Sequence, residues 1–187
     1  MTRDELLELI ADSFSQQPQP AAGGILFRHT PHVAELPYLG RVYDPVSSEM
    51  ARGWATRAQN QDNPYLSFVT DVANGLRIAN ISLYGVVDEI DRSVGLGVGQ
   101  PISLDYGNII ARPAHLNDTD MVIGGQVGWS SKGAYVMDRV GAVRLVHHSN
   151  GGDVADEWPN LRGMLRAELA RHAANLRCHS SLGRGHR

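Results

Sequence analysis

The sequence lacks several features that define large functional classes. Its 187 residues include one cysteine, Cys178, which excludes an intrachain disulfide and a cysteine-based zinc site. No apolar run reaches the roughly 18 residues that a membrane-spanning helix requires. The N-terminus also lacks the basic and then apolar pattern of a signal peptide. We therefore expect a cytoplasmic protein that makes no membrane contact.

A strong charge of one sign is lacking as well. The formal net charge is −3 and charged residues make up 20% of the chain, so whole-chain attraction to nucleic acid is excluded. The charge is divided unevenly. Residues 1–99 carry 12 acidic and 7 basic residues, a net charge of −5, whereas residues 100–187 carry 8 and 10, a net charge of +2. We expect a partner other than nucleic acid, and the N-terminal half holds the acidic surplus.

Motifs that carry catalysis are largely missing. The sequence has neither a Gly-Lys-Ser/Thr phosphate loop nor an H-E-x-x-H zinc motif. The glycine run 95–99 is followed by Gln100-Pro101, which cannot open the helix that a dinucleotide loop needs. We predict that the chain is not an enzyme and uses no cofactor or metal. A small hydrolase with an unrecognised site built from His147, His148 and Asp138 stays open as an alternative.

Apolar residues make up 42% of the chain, enough for one sizeable core. Periodicity and capping residues predict four helices, at residues 3–15, from Ser47, from Asn63-Pro64 to Asn74-Gly75, and over 159–176. Short β-prone runs lie between residues 76 and 146, including a possible hairpin around Gly107. The fold class predicted is α+β, with a mixed, mostly antiparallel sheet of about six strands, helices packed on it and a closing C-terminal helix.

Composition predicts three segments. Residues 1–24 form an N-terminal helix and a flexible linker rich in glutamine, proline and glycine, residues 25–176 form a single domain, and residues 177–187 form a basic, disordered tail.

Residues 63–85 carry a resemblance to a known family. They run from Asn63-Pro64-Tyr65 through Asn74-Gly75 to Tyr84-Gly85, and they resemble the SUKH superfamily, in particular its Smi/Knr-type branch. Residues around Gly141 and the closing helix resemble its later half, and the likeness covers about residues 45–172. The family usually has Leu-Pro where this chain has Asn63-Pro64, and the N-terminal helix and basic tail are additions. The residues that match are Pro64, Asn74, Gly75, Tyr84, Gly85 and Gly141, and all have structural roles in turns and helix ends.

The resemblance implies an α+β fold without catalysis. Bacterial members are commonly immunity proteins that bind and neutralise a toxin, while some relatives act as regulatory scaffolds for an endogenous partner. We therefore expect a protein partner, possibly a secreted nuclease-type toxin. Because nuclease grooves are basic, we predict that the acidic run Asp88, Glu89 and Asp91 belongs to the partner-binding face.

Overall fold

The computed structural model describes residues 1–27, 40–89, 100–126, 133–147 and 152–182, with side chains to residue 174. The helices are α1 (Arg3–Phe14), α2 (Ser48–Arg57), α3 (Tyr65–Asp71) and α4 (Leu161–Leu182), together with one π-helical turn (Tyr106–Ile110). The strands are β1 (Pro18–Ala21), β2 (Gly24–Phe27), β3 (Gly40–Tyr43), β4 (Leu76–Ile78), β5 (Ile81–Leu83), β6 (Met121–Gln126), β7 (Gly133–Met137), β8 (Val143–His147) and β9 (Val154–Trp158).

The fold is α+β, as predicted, but its sheet is larger than expected. Nine strands form one sheet in which each strand lies beside its neighbours in sequence, from β1 to β9. Every strand pair is antiparallel. The prediction of about six strands was therefore too low. The one parallel pairing described is an isolated bridge between Gly85 and Ser103, outside the named strands.

The two faces of the sheet are covered unequally. On one face, alternate strand residues such as Ile81, Leu83 and Tyr135 join the buried residues of all four helices in the main core. On the other face, Val122, Ala134, Val136 and Val146 form a small second cluster, with Tyr84 and Leu116 packed against it. The segment that carries the π-helical turn lies on this second side, and it positions the candidate site.

The N-terminal segment is part of the domain. Thr2 and Glu5 form a capping box at the start of α1, and Leu6 and Ile10 are fully buried. Where the composition of residues 16–24 predicted a flexible linker, the structure has β1, which pairs with β2 at the edge of the sheet. The prolines are tolerated because an edge strand needs hydrogen bonds on one side only.

The C-terminal boundary also differs. The final helix α4 extends to Leu182, beyond the predicted end at residue 176 and into the stretch predicted as a disordered tail, because no proline or glycine interrupts residues 164–182. Residues 183–187 lie outside the described part of the chain. None of the described helices is long and apolar enough to cross a membrane.

The signals for the starts of α2 and α3 were correct, whereas α3 ends at Asp71, before the predicted stop at Asn74-Gly75. Ser47 caps α2, its hydroxyl accepting from Met50 N at 3.2 Å. Asn63 Oδ1 accepts from Tyr65 N at 3.0 Å and Pro64 takes helical angles, as the sequence predicted for the start of α3. The predicted hairpin around Gly107 was wrong, because those residues form the π-helical turn.

Candidate binding surface

The residues matched to the family have structural roles around the end of α3. Gly75 has a φ of +82°, and a Cβ there would lie 2.6 Å from the Leu83 carbonyl oxygen. The Asn74 side chain donates to Val86 O at 2.9 Å and accepts from Val86 N at 2.7 Å, so it pairs with the backbone as a strand would. Gly85 packs directly beneath it, where a Cβ would lie 2.4 Å from Asn74 O. Together these contacts fix the chain that leaves β5.

The remaining matched residues lie near the same helix. Tyr84 accepts a 2.6 Å hydrogen bond at its carbonyl from the buried Tyr65 hydroxyl. Gly141 has a φ of +94° in the turn between β7 and β8, and Pro64 lies beside it, 3.7 Å from where a Cβ would be. The predicted role of Gly141 in a turn is thus seen in the structure. The predicted helix stop at Gly75 is not, because α3 ends at Asp71 with Val72 as its C-cap, and the left-handed Gly75 lies directly before β4.

The structure describes two of the three residues of the predicted acidic run. Asp88 and Glu89 are exposed, and neither makes an ion pair within the described residues. They follow Gly85, which hydrogen-bonds to the strand-like residues Ile102 and Leu104. The third residue of the set, Asp91, lies outside the described residues.

The residues suggested for a hydrolase do not come together. Asp138 Oδ1 accepts from Val140 N and Ala142 N at 3.0 and 2.9 Å, so this carboxylate stabilises the turn between β7 and β8. His147 pairs with Gly133 at the opposite end of the same hairpin. His148 lies outside the described part of the chain. A site that combines Asp138 with His147 is therefore ruled out by the hairpin geometry.

Hydrogen bonds and close packing hold the π-helical turn against β6. Asn108 donates to Val122 O at 2.8 Å and accepts from Val122 N at 2.9 Å, and it also donates to Leu104 O at 2.9 Å. Gly107 lies against the same strand, since a Cβ there would be 2.6 Å from Val122 Cγ1. The turn is thus rigidly seated. Residue 107 must be small because the backbone approaches the sheet so closely.

The outer side of this turn is apolar and exposed. Tyr106, Ile109 and Ile110 are 55%, 48% and 70% exposed. We name these three residues the apolar turn. The sequence analysis missed it, since Tyr106 was assigned to one strand of a possible hairpin around Gly107 and the two isoleucines to the other. Large exposed apolar side chains gathered on one short element are typical of a protein-binding surface.

A pocket of about 190 Å³ lies between the π-helical turn and the second face of the sheet. Its walls are formed by Ile102, Pro113, Val122 and Ala134, and its polar side chains are those of Ser82, Tyr84 and Tyr106. Gln126 also lines it, but its side-chain amide is bonded to Glu168 on the other face of the sheet. Burial raises the pKa of Tyr84, with Tyr106 as the second cause. The Tyr84 hydroxyl therefore stays protonated and able to donate at neutral pH.

A buried polar cluster lies on the other face of the sheet, under α4. Glu168 is fully buried, and its Oε2 accepts from the Tyr135 hydroxyl at 2.7 Å and from Gln126 Nε2 at 3.1 Å. Its Oε1 accepts from Arg171 at 2.6 Å, and Arg171 also donates to Asp156 of β9 at 2.9 Å. Burial and the neighbouring Glu168 raise the pKa of Tyr135 well above its ordinary value. The cluster joins α4 to β6, β7 and β9.

This cluster is fully engaged in structural contacts. Both Glu168 oxygens accept hydrogen bonds from protein groups, and the residue has no contact with solvent. His172 lies beside it, with Nε2 3.9 Å from Glu168 Oε2. Within the described residues, the buried Nε2 of His172 has no hydrogen-bond partner. Burial lowers the pKa of His172, opposed by the charge of Glu168.

No group of three or more His, Cys, Asp or Glu side chains within the described ranges is placed to hold a metal ion. Neither a model of a known protein family nor a curated protein matches the chain.

Proposed function

We propose that the chain is a non-enzymatic protein-binding module, an immunity protein of the SUKH type that neutralises a bacterial toxin domain in the cytoplasm. The observation that carries the proposal is the apolar turn. Three large apolar side chains are exposed on an element whose backbone is bound firmly to the sheet. The resemblance of residues 63–85 to the superfamily supports the class of partner.

A rigid apolar projection is well suited to a protein interface. Binding is costly when loops must be ordered, so a surface that is already held in place loses less free energy on association. Asn108 and Gly107 supply that order here, through the contacts with Val122. Aromatic residues are also enriched among the side chains that dominate binding energy, and Tyr106 is the most suitable anchor of this kind in the turn.

Two exposed acidic residues, Asp88 and Glu89, follow Gly85, which bridges to Ser103 shortly before the π-helical turn. The bridge between Gly85 and Ser103 is parallel, so the chains leaving it towards Asp88 and towards the π-helical turn run in the same direction. Exposed carboxylates without ion-pair partners attract a basic protein surface and increase the rate of association. A nuclease toxin has such a surface, because it must hold phosphates.

The test is whether the neighbouring open reading frame encodes a large secreted toxin, followed by co-expression of that toxin domain with this chain. We expect rescue from killing, and we expect the purified proteins to associate. The variant Ile109→Asp with Ile110→Asp should abolish rescue, since it places charges in the apolar contact. The matched control is Val140→Asp with Val154→Asp, which places two charges at exposed apolar positions outside the apolar turn, with thermal melts recorded for all three proteins.

Electrostatic steering is tested separately. Reversal of Asp88 and Glu89 to lysine should slow association about tenfold or more at low salt and flatten its salt dependence. Reversal of Glu8 and Asp153, which are also exposed and acidic, serves as the control at equal net charge. Equal association rates for the two double variants would contradict the acidic face. Failure of rescue by the unchanged protein, with turnover in a broad substrate screen, would overturn the proposal in favour of the hydrolase.

A further inference from the structure

The pocket beside the apolar turn has the size of one side chain. Its volume is about 190 Å³, below the roughly 300 Å³ at which pockets for whole cofactors and drug-sized ligands begin. A cavity of about 150 Å³ is known to accept a benzene ring. A single aromatic ring therefore fits.

The lining of the pocket selects against charge and for one polar atom. None of its lining residues is ionised at neutral pH, so a charged group entering it would lose hydration without a counter-charge. Ser82 is only 2% exposed, and its hydroxyl makes no hydrogen bond within the described residues. The hydroxyl keeps contact with solvent and Ser82 lines the pocket, so it can bond to a water molecule or to a ligand that enters.

Small residues on the strands next to Ser82 keep the pocket open. Ser82 faces Gly125 across the β5–β6 pair, and Gly125 faces Ala134 across the next pair. A Cβ on Gly125 would lie 3.4 Å from the Tyr84 hydroxyl and 3.1 Å from the Gly133 carbonyl oxygen. Small residues in this row therefore leave the Ser82 hydroxyl and the Tyr84 hydroxyl accessible from the pocket.

We infer that the pocket receives one tyrosine side chain of the protein partner, with its ring between Val122 and Ala134 and its phenol hydroxyl bonded to Ser82. This inference rests on the proposed function, because it names the residue that anchors the partner beside the apolar turn. Tyr106 both lines the pocket and is 55% exposed. The partner's tyrosine in the pocket and the partner surface on the apolar turn therefore belong to one continuous interface.

The probe is p-cresol, which is the side chain of tyrosine, and it is compared with toluene, the side chain of phenylalanine. Both are titrated into the full-length protein while backbone amide shifts are followed by NMR. We expect p-cresol to shift the amides of Gly125 and Ala134 with a Kd of about 1 mM, the strength typical of so small a ligand. Toluene should bind several-fold more weakly at the same residues.

Two variants decide the contribution of the lining. Ser82→Ala should weaken p-cresol several-fold and leave toluene unchanged, while Ala134→Leu should abolish both by filling the pocket. Ser67→Ala, an exposed serine on α3, is the matched control and should change neither. Since Ala134 is buried, thermal melts are needed, and if Ala134→Leu unfolds then Ser82→Ala alone decides the outcome.

The result separates this inference from the proposed function. Absence of amide shifts at the pocket with both probes would overturn it, as would equal affinity for p-cresol and toluene. Rescue from the toxin without p-cresol binding would contradict the tyrosine-binding role of the pocket and support the immunity function. Conversely, p-cresol binding without rescue would support a phenol-binding pocket and contradict the proposal that the partner is a toxin.

Discussion

Individual side chains in this protein take over hydrogen bonds that secondary structure leaves unmade. Asn74 and Asn108 each pair with both the N–H and the carbonyl of one backbone residue, Val86 and Val122. Asn63 does so in part, donating to Met137 O at 3.3 Å while capping α3. An amide side chain offers a donor and an acceptor at the spacing of a peptide group, which explains the choice of asparagine at these points.

The left-handed conformation of Gly75 leads to a prediction about stability. Gly75→Ala should lower the free energy of unfolding by about 1–3 kcal/mol for the left-handed conformation alone, and the contact 2.6 Å from Leu83 O adds to that cost. Urea unfolding measures it. The matched control is Gly53→Ala on α2, where a Cβ meets no atom within 4 Å. That variant should gain about 0.5–1 kcal/mol, and a loss equal to that of Gly75→Ala would contradict the explanation.

The Tyr135 hydroxyl provides a second prediction. Tyr135→Phe should cost about 1.5–3 kcal/mol, because the hydroxyl bonds to a buried carboxylate at 2.7 Å. Tyr106→Phe removes the same atom from a residue that is 55% exposed, and it should change stability by less than about 0.5 kcal/mol. Chemical denaturation of both variants tests the difference. Equal costs would show that the Glu168 bond contributes nothing specific.

At the scale of elements, the sequence predicted the parts whose signals are local. The caps at Ser47 and Asn63 depend on neighbours within a few residues, and both are seen. The positive φ predicted for Gly75 is also seen, but α3 ends before it, at Asp71. The sequence analysis did not predict β1 or β9. Prolines lower the strand propensity of β1, and charged, exposed residues lower that of β9. Their strand conformation comes from pairing with distant neighbours, which local propensity does not register.

The candidate surface could not be predicted for a related reason. A sequence does not distinguish an exposed isoleucine from a buried one, so the apolar turn became visible only once its backing by Val122 was known. Asp88 and Glu89 were more accessible to prediction, because charged residues are almost always exposed. The Glu168 cluster was missed entirely, as its members lie on three strands and one helix and share no spacing.

The attachment of α4 to the sheet should depend on pH. Burial lowers the pKa of His172, so the unfolded chain binds a proton more readily than the folded one below a pH of about 6.5. Stability present above that pH should therefore fall as the pH decreases from about 7.5 to about 5.5. Denaturation of the wild type and of His172→Gln at both values tests this, and the variant should lose less stability. Glu5, whose pKa is lowered from 4.5, contributes its change at lower pH.

The whole molecule is a single long meander whose two ends are brought together by helices. α1 follows no strand and α4 follows the last one, yet the two helices pack on each other, and Arg162 of α4 lies 3.5 Å from Glu5 of α1. Arg3 donates from α1 to Tyr43 O and Val72 O at 3.0 and 2.8 Å. The N-terminal helix is therefore part of the core. The predicted domain start at residue 25 leaves this helix out, and this is the largest difference between the predicted domain division and the structure.

Removal of the N-terminal segment tests that conclusion. A chain that begins at Ile25 loses α1, β1 and the fully buried Leu6 and Ile10, so we expect it to lose its cooperative thermal transition. Because truncation is a severe change, Leu6→Ala offers a graded measurement and should cost about 2–5 kcal/mol by leaving a cavity between α1 and the sheet. Glu8→Ala, on the exposed side of the same helix, should remain within about 0.5 kcal/mol of the wild type. A truncated chain that melts cooperatively near the wild-type temperature, with Leu6→Ala as mild as Glu8→Ala, would show that the domain begins at residue 25 after all.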